Sequence, residues 1–491
     1  MSDCKYRVVV IGAGFAGLTA AELLRRTDMD FTVYEKAGEV GGTWRENTYP
    51  GLYVDVPSRQ YEFPFEPNFE WSRRFAPAPE IQDYICKVAD RRGLRQYIRF
   101  NEEITSARFL NGRWHLTTAK GGHDIADALI CATGFLRVPV YPEIEGKDSF
   151  SGPAFHSACW DHSAPVDGKR WGVIGAGASG VQITEALAYE KCEVTQFIRR
   201  PQWVWIRDNP PTNLLDRLLL RLPLAYERLQ KRLWDGYSVS DRWRLEAGPS
   251  RTDMERQFQG FLDTVKDPDL RRKLTPDYHL GCTRIPKSDR NYYQAVQQPN
   301  VHIETERIAR VVPTGIELAN GTTRELDVLV YATGYDAHAY MRPMTVTGIN
   351  GTTIDELWKD GVFSYNGIAL PKFPNLFVLY GPFSPVNNLS VPIGLVQEMN
   401  YIIRLLFMGR KRGSAVMPSV AATDRFMSRM REALPGTVWV GCKNWYVDKH
   451  GLPVLWPLSQ DDHTDMMAKI DLDDLEFVPA GESTPVMTPG A

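Results

Sequence analysis

Cysteines close together in sequence are missing from this chain. Its seven, at positions 4, 86, 131, 159, 192, 282 and 442, never fall into a Cys-x2-Cys or Cys-x4-Cys pair. Redox-active disulfides on a helix and zinc sites both use that spacing, so a flavin-dependent disulfide reductase is disfavoured and no metal is expected. The thiols read as reduced and mostly structural. Long apolar runs are missing too. A spanning helix needs about 20 such residues, and even Leu214 to Leu222 is broken by Asp216, Arg217 and Arg221, so no membrane partner is expected. Charge of one sign is scarce: 57 Lys and Arg against 60 Asp and Glu leave a net charge of -3, which provides no field to draw nucleic acid or an anionic surface. The first residues run into a strand with no charged leader and no small-residue cleavage site, which predicts a cytoplasmic location. What remains is a small-molecule partner. A chain of 491 residues exceeds one ordinary core, so two or three domains are expected.

The chain does contain one pattern twice. Arg7-Val-Val-Val-Ile-Gly-Ala-Gly-Phe-Ala-Gly17 aligns with Arg170-Trp-Gly-Val-Ile-Gly-Ala-Gly-Ala-Ser-Gly180, and Asp127-Ala-Leu-Ile-Cys-Ala-Thr-Gly-Phe135 with Asp327-Val-Leu-Val-Tyr-Ala-Thr-Gly-Tyr335. Each unit opens on a buried strand and a glycine loop and closes on a buried strand and a glycine turn. The predicted fold is therefore α/β, with two Rossmann-like dinucleotide-binding domains. The second unit is longer and carries an insertion, placed at about residues 207–277. There Leu214, Leu218 and Leu222, then Tyr226, Leu229 and Leu233, recur at helical spacing, which predicts a small helical subdomain whose stripes pack its own core. The tryptophans at 203, 205, 234 and 243 suggest a second use, lining a substrate cavity. The resulting division is 1–149 for the first part of one domain, 150–335 for the second domain with its insertion, 336–479 for the return to the first, with a helical stretch around Leu395 to Phe407, and 480–491 for a frayed tail.

The two loops differ where specificity is set. Gly12, Gly14 and Gly17 follow a strand directly: the first permits the tight turn, the second lets backbone approach a pyrophosphate, and the third packs the following helix closely. The next strand ends in Glu35, an acceptor for ribose hydroxyls that repels a 2'-phosphate, which selects FAD or NAD over NADPH. In the second unit Gly175, Gly177, Ser179 and Gly180 form the loop, and the strand after it ends in Arg199 and Arg200. Cations there suit the extra phosphate of NADPH. FAD and NADPH in one chain imply hydride transfer between them.

Between the units, Phe150-Ser-Gly152-Pro-Ala-Phe-His156-Ser-Ala-Cys-Trp160-Asp161 resembles the F-x-G-x-x-x-H-x-x-x-W-(P/D) fingerprint of type I Baeyer-Villiger monooxygenases. Gly41-Gly42-Thr43-Trp44, Tyr49-Pro50-Gly51 and Asp55 resemble that family's second signature. Related enzymes that oxidise nitrogen or sulfur usually have Tyr-Arg in place of Trp160-Asp161. The resemblance runs from Val8 to about Pro457 and implies conversion of a ketone to an ester or lactone through a C4a-peroxyflavin, with dioxygen as co-substrate. It assigns Arg284, in Gly281-Cys-Thr-Arg284-Ile ahead of Asn291-Tyr-Tyr293, as the active-site cation and Asp55 as the carboxylate that positions it. Gly42, Thr43 and Trp44 fall to the flavin, Trp445 to the nicotinamide cofactor, and Phe150, Gly152, His156, Trp160 and Asp161 to coupling between domains. One departure is Thr283, where the family commonly has a lysine that grips the 2'-phosphate; Arg200, where the family often has threonine or serine, compensates. A monomer or weak homo-oligomer is expected. Oxidation of a sulfide or amine, which needs the protonated oxygen donor, and a plain NADPH-dependent flavin reductase stay open as alternatives.

Overall fold

Residues Arg7–Ile11 and Arg170–Ile174 each sit at the centre of a five-stranded parallel sheet. The computed structural model describes residues 5–386, 390–442 and 444–479, so the tail expected at 480–491 lies outside the described residues. In the first sheet the order is Leu376–Val378, Ala128–Cys131, Arg7–Ile11, Asp30–Tyr34, Ile98–Arg99. In the second it is Val301–Glu304, Glu193–Phe197, Arg170–Ile174, Val328–Tyr331, Ala154–His156. Val8, Val9 and Val10 have no exposed surface, as expected of central strands covered on both faces. The repeat seen in the sequence extends to hydrogen bonds: Asp127 accepts the backbone N–H of Arg7 at 2.7 Å, and Asp327 that of Arg170 at 2.9 Å.

Before each closing strand the chain makes an antiparallel meander. Ile104–Leu110, Arg113–Thr118 and His123–Ala126 form the first, and Ile308–Val312, Gly315–Leu318 and Thr323–Glu325 the second. The first hairpin turns on Asn111 and Gly112, both at positive φ (51° and 79°), the backbone a two-residue turn demands. Helix Val391–Lys411 has the length and apolar composition of a membrane span, yet half of its most apolar window is buried. Leu395, Met399, Ile402, Leu405 and Leu406 are buried, and the helix packs on Phe15–Leu24.

The insertion is helical: Leu214–Leu219, Pro223–Leu245, Pro249–Leu262 and Pro268–Leu274. Two expectations about it fail. Leu214, Leu218 and Leu222 fill no core; they are 70%, 52% and 57% exposed, since the short helix Leu214–Leu219 has no buried residue and Leu222 stands in the turn after it. Tyr226, Leu229 and Leu233, on the next helix, are half-buried. The tryptophans do not line the large cavity either. Trp243 is fully buried against Phe258, Leu280, Ile285 and Trp439, with Trp203 and Trp205 packed on that cluster.

Candidate active site

Both glycine loops open onto one cavity of about 1660 Å³, where each sheet presents the carboxyl ends of its central strands. Gly12, Gly14 and Glu35 reach it from the first unit; Gly175, Gly177, Ser179, Arg199 and Arg200 from the second; Gly42, Thr43, Trp44, Asp55, Arg284 and Trp445 from the connections. Gly17 and Gly180 lie behind it. A Cβ on Gly17 would fall 1.8 Å from the carbonyl oxygen of Gly12, and one on Gly180 2.3 Å from that of Gly175, so each loop closes on its own helix only with glycine there. Gly42 (φ 55°) faces Gly14 so closely that a Cβ on it would lie 3.3 Å from the Gly14 Cα. Two bare backbones meeting across a gap form a cradle that a methyl group would block, which fits a bound pyrophosphate. Glu35 is buried, its carboxylate accepting the N–H groups of Ala13 (2.7 Å) and Ala37 (2.9 Å).

Deeper in, Asp55 holds two cations. Arg284 Nη2 donates to Asp55 Oδ2 at 2.8 Å, and Lys287 Nζ lies 3.8 Å from the same oxygen while donating to the Asp55 backbone carbonyl. The Asp55 and Arg284 side chains keep 30% and 29% exposure and Lys287 15%. Burial alone would raise the Asp55 pKa, but Lys287 and Arg284 outweigh it and hold the carboxyl far below the usual carboxylate range. Burial pulls Lys287 down to about 8, with Asp55 opposing. Lys287 was not picked out from the sequence. The signal lay in Ile285-Pro286-Lys287: where Thr283 breaks the family pattern, a lysine stands three residues beyond the arginine.

Thr283 itself donates to Gln202 Oε1 at 2.6 Å. Beside it Arg200 pairs with Asp277 at 3.1 Å, its guanidinium 4.2 Å from the ring centre of Tyr278. Arg199 is exposed at the rim of the cavity. Ser179 donates to Tyr49 OH (3.1 Å), which donates to Gln182 (3.0 Å), joining the second glycine loop to the first unit. Trp445 stacks on Phe135 at 6.4 Å and contacts Tyr446 at 4.0 Å.

The fingerprint residues stand away from the cavity wall. His156 is fully buried, accepts the Ala158 N–H at 3.0 Å, and meets Tyr335 edge-on at 5.8 Å. Tyr335 lines the cavity and donates to Asn47 at 2.6 Å. Trp160 stacks on Trp171 at 5.7 Å, Phe150 packs on a small cluster around Val311, and Asp161 caps the N–H of Ser163 at 2.8 Å. A Cβ on Gly152 would sit 2.4 Å from the Asp327 carbonyl oxygen.

The reading of all cysteines as reduced is corrected: Cys282 and Cys442 form a disulfide with Cα atoms 5.5 Å apart across a sequence separation of 160. Sequence spacing could not show it, since the pairing is made by the fold. His279 lies close enough to make a three-residue group with these sulfurs, but sulfurs joined to each other offer no thiolate to a metal. The disulfide ties the segment of Arg284 to that of Trp445, and Asn444 reinforces it by donating to the Cys282 carbonyl. Closing so long a loop stabilises by at most about 5 kcal/mol in the chain-entropy account. Cys442→Ser, or reductant on the wild type, is expected to lower the thermal midpoint by several degrees, read in melts of the holoenzyme with and without dithiothreitol; an unchanged midpoint would show that the tie is not made.

A family model described as pyridine nucleotide-disulphide oxidoreductase matches residues 9–228. An uncharacterized monooxygenase of Mycobacterium tuberculosis is 42% identical over 89% of both chains. The solved structure of OTEMO in complex with FAD and NADP superposes with a TM-score of 0.88 at 27% identity, covering 96% of this chain and 99% of that one. A Baeyer-Villiger monooxygenase of Streptomyces coelicolor is 36% identical over 95% of this chain and 91% of its own, and with both glycine loops and the Asp55–Arg284 pair around one cavity, the chain belongs to the Baeyer-Villiger monooxygenases.

Proposed function

We propose that Arg284, positioned by Asp55 and seconded by Lys287, holds the developing negative charge when this FAD- and NADPH-dependent monooxygenase inserts oxygen beside the carbonyl of a ketone. The observation that carries the reading is the Asp55 cluster, two cations sharing one carboxylate, on the same cavity wall as both glycine loops. Bound FAD supplies electron uptake from NADPH and the activation of dioxygen. The chain's own residues supply charge and place. Two cations and one carboxylate leave a net +1, which favours an ionised oxygen nucleophile over its protonated form and so favours a carbonyl over a sulfide as substrate. Arg284 stays protonated at any working pH, and the same guanidinium can receive the oxyanion of the tetrahedral adduct of the substrate. The test is anaerobic reduction by NADPH, then air with a panel of linear, cyclic and steroidal ketones and sulfides, scored by product mass; oxygen transfer to sulfides without any ester would overturn the reading.

Arg199 and Arg200 are proposed to hold the 2'-phosphate of NADPH in the place of the missing lysine. Arg200 is already engaged by Asp277 and Tyr278, so Arg199 is the better handle for a test. Arg199→Ala is expected to raise KM for NADPH about tenfold, the size of one charge-assisted hydrogen bond, with KM for NADH little changed. Equal effects on the two would place the phosphate elsewhere.

A further inference from the structure

Of the fourteen large apolar side chains exposed among the described residues, six fall within eleven positions of the insertion. Leu214 (70%), Leu215 (64%), Leu218 (52%), Leu219 (46%), Leu222 (57%) and Leu224 (68%) all face solvent. Four of them lie on helix Leu214–Leu219 at spacings of one and four residues, which places them on one face. None of the side chains of that helix is buried, so it presents an exposed apolar tip. Scattered surface leucines need no account, but a contiguous group of this size does.

The next helix, Pro223–Leu245, carries charge away from the tip. Its inward side is bolted down: Tyr226 donates to Glu62 at 2.7 Å, Gln230 to the Arg59 carbonyl at 2.9 Å, and Gln60 to the Leu233 carbonyl at 3.0 Å. The first turns of its outward side bear Leu224, Glu227, Arg228, Lys231 and Arg232, all exposed. From Leu214 to Arg232 there are five Arg and Lys against two Asp and Glu. The acids that face these cations are Asp216 and Glu227, with Glu70 near Arg217 (3.6 Å) and Arg221 (2.6 Å), and Asp235 near Lys231 (3.2 Å).

We infer that this apolar tip and its basic ramp dock the enzyme on an anionic lipid surface, the leucines entering the headgroup boundary and Arg228, Lys231 and Arg232 meeting the lipid phosphates. Leucines that insert next to cations that stay at the interface are the composition of an interfacial helix. A second copy of the chain is a poorer occupant, because a twofold contact would set this basic ramp against itself. The wall of the cavity is near: Tyr61 lines it, and so does Ser390, whose hydroxyl donates to the carbonyl of Gln60, the residue that ties down the helix. The whole-chain charge of -3 concealed this arrangement by averaging over it.

The test is co-sedimentation of the full-length holoenzyme with phosphatidylcholine vesicles containing phosphatidylglycerol, and with phosphatidylcholine alone. Binding to the anionic vesicles is expected, falling at least tenfold in Leu218→Asp/Leu219→Asp and in Arg228→Glu/Arg232→Glu. Since none of these residues lines the cavity, flavin content and turnover of a water-soluble ketone should stay at wild-type values in both variants, which separates a docking defect from misfolding. The inference is overturned if no vesicle binding exceeds the lipid-free control, if binding is equal on neutral vesicles, or if the protein is a dimer that the leucine variant turns into a monomer.

Discussion

With Arg284→Ala, NADPH should bleach the flavin at a rate within a few-fold of wild type while ester formation falls about a thousandfold. At about 4 Å and an effective dielectric near 20, a guanidinium stabilises a unit negative charge by roughly 4 kcal/mol, and each 1.36 kcal/mol is a factor of ten in rate. The substitution changes the charge of the Asp55 cluster from +1 to zero, with Arg207 and Arg244 remaining as the further cations near Lys287. Reduction is spared because hydride transfer depends on the two nucleotide sites, which the substitution leaves with their glycine loops intact. Arg284→Lys keeps the charge without the planar fork that matches the Asp55 carboxylate, so an intermediate loss, about ten- to hundredfold, is expected. Stopped-flow reduction and product analysis on the same preparation separate the two steps. Ester formed at the wild-type rate by Arg284→Ala would remove the guanidinium from the reaction.

The parts that could be read from sequence alone are those where the signal is local. Gly12, Gly14 and Gly17 sit within six positions of a strand that is apolar after Arg7, and their counterparts at 175, 177 and 180 repeat the spacing, so strand, loop and helix were readable twice. Arg199 against Glu35 was readable because the unit itself says where to look. Long-range features were not. Cys282 meets Cys442 only because two distant loops converge, and no spacing rule foresees a pair 160 residues apart. The leucines at 214, 218 and 222 show why period alone misleads: a stripe at helical spacing says that a helix has an apolar face, and nothing about what lies opposite it. The meander before Ala128–Cys131 did carry a local signal, Asn111-Gly112 between alternating apolar residues, but it lies outside the repeated glycine loops. Lys287 was hidden by alignment to a family pattern that places its lysine on the other side of the arginine.

That lysine leads to the second large effect. Asp55→Asn is expected to reduce ester formation about a hundredfold, since it frees Arg284 from its anchor and leaves two cations next to each other in a cavity that burial already makes costly for Lys287. Without the carboxylate, which opposes the effect of burial, the pKa of the lysine drops further. In the wild type the same group should appear in the pH profile: ester formation declines as pH rises through about 8, when Lys287 loses its proton and the cluster its surplus charge, and Lys287→Met removes that inflection. Unfolding is distinguishable by sign. The folded pKa of Lys287 lies below its ordinary value of 10.5, so between about 8 and 10.5 the unfolded chain binds more protons, and this group's contribution to stability grows with pH over that window. Activity that falls above pH 8 while the thermal midpoint does not fall with it is therefore the expected result. If Lys287→Met retains the same inflection, the titrating group is another one and Lys287 only helps to hold Asp55 in place.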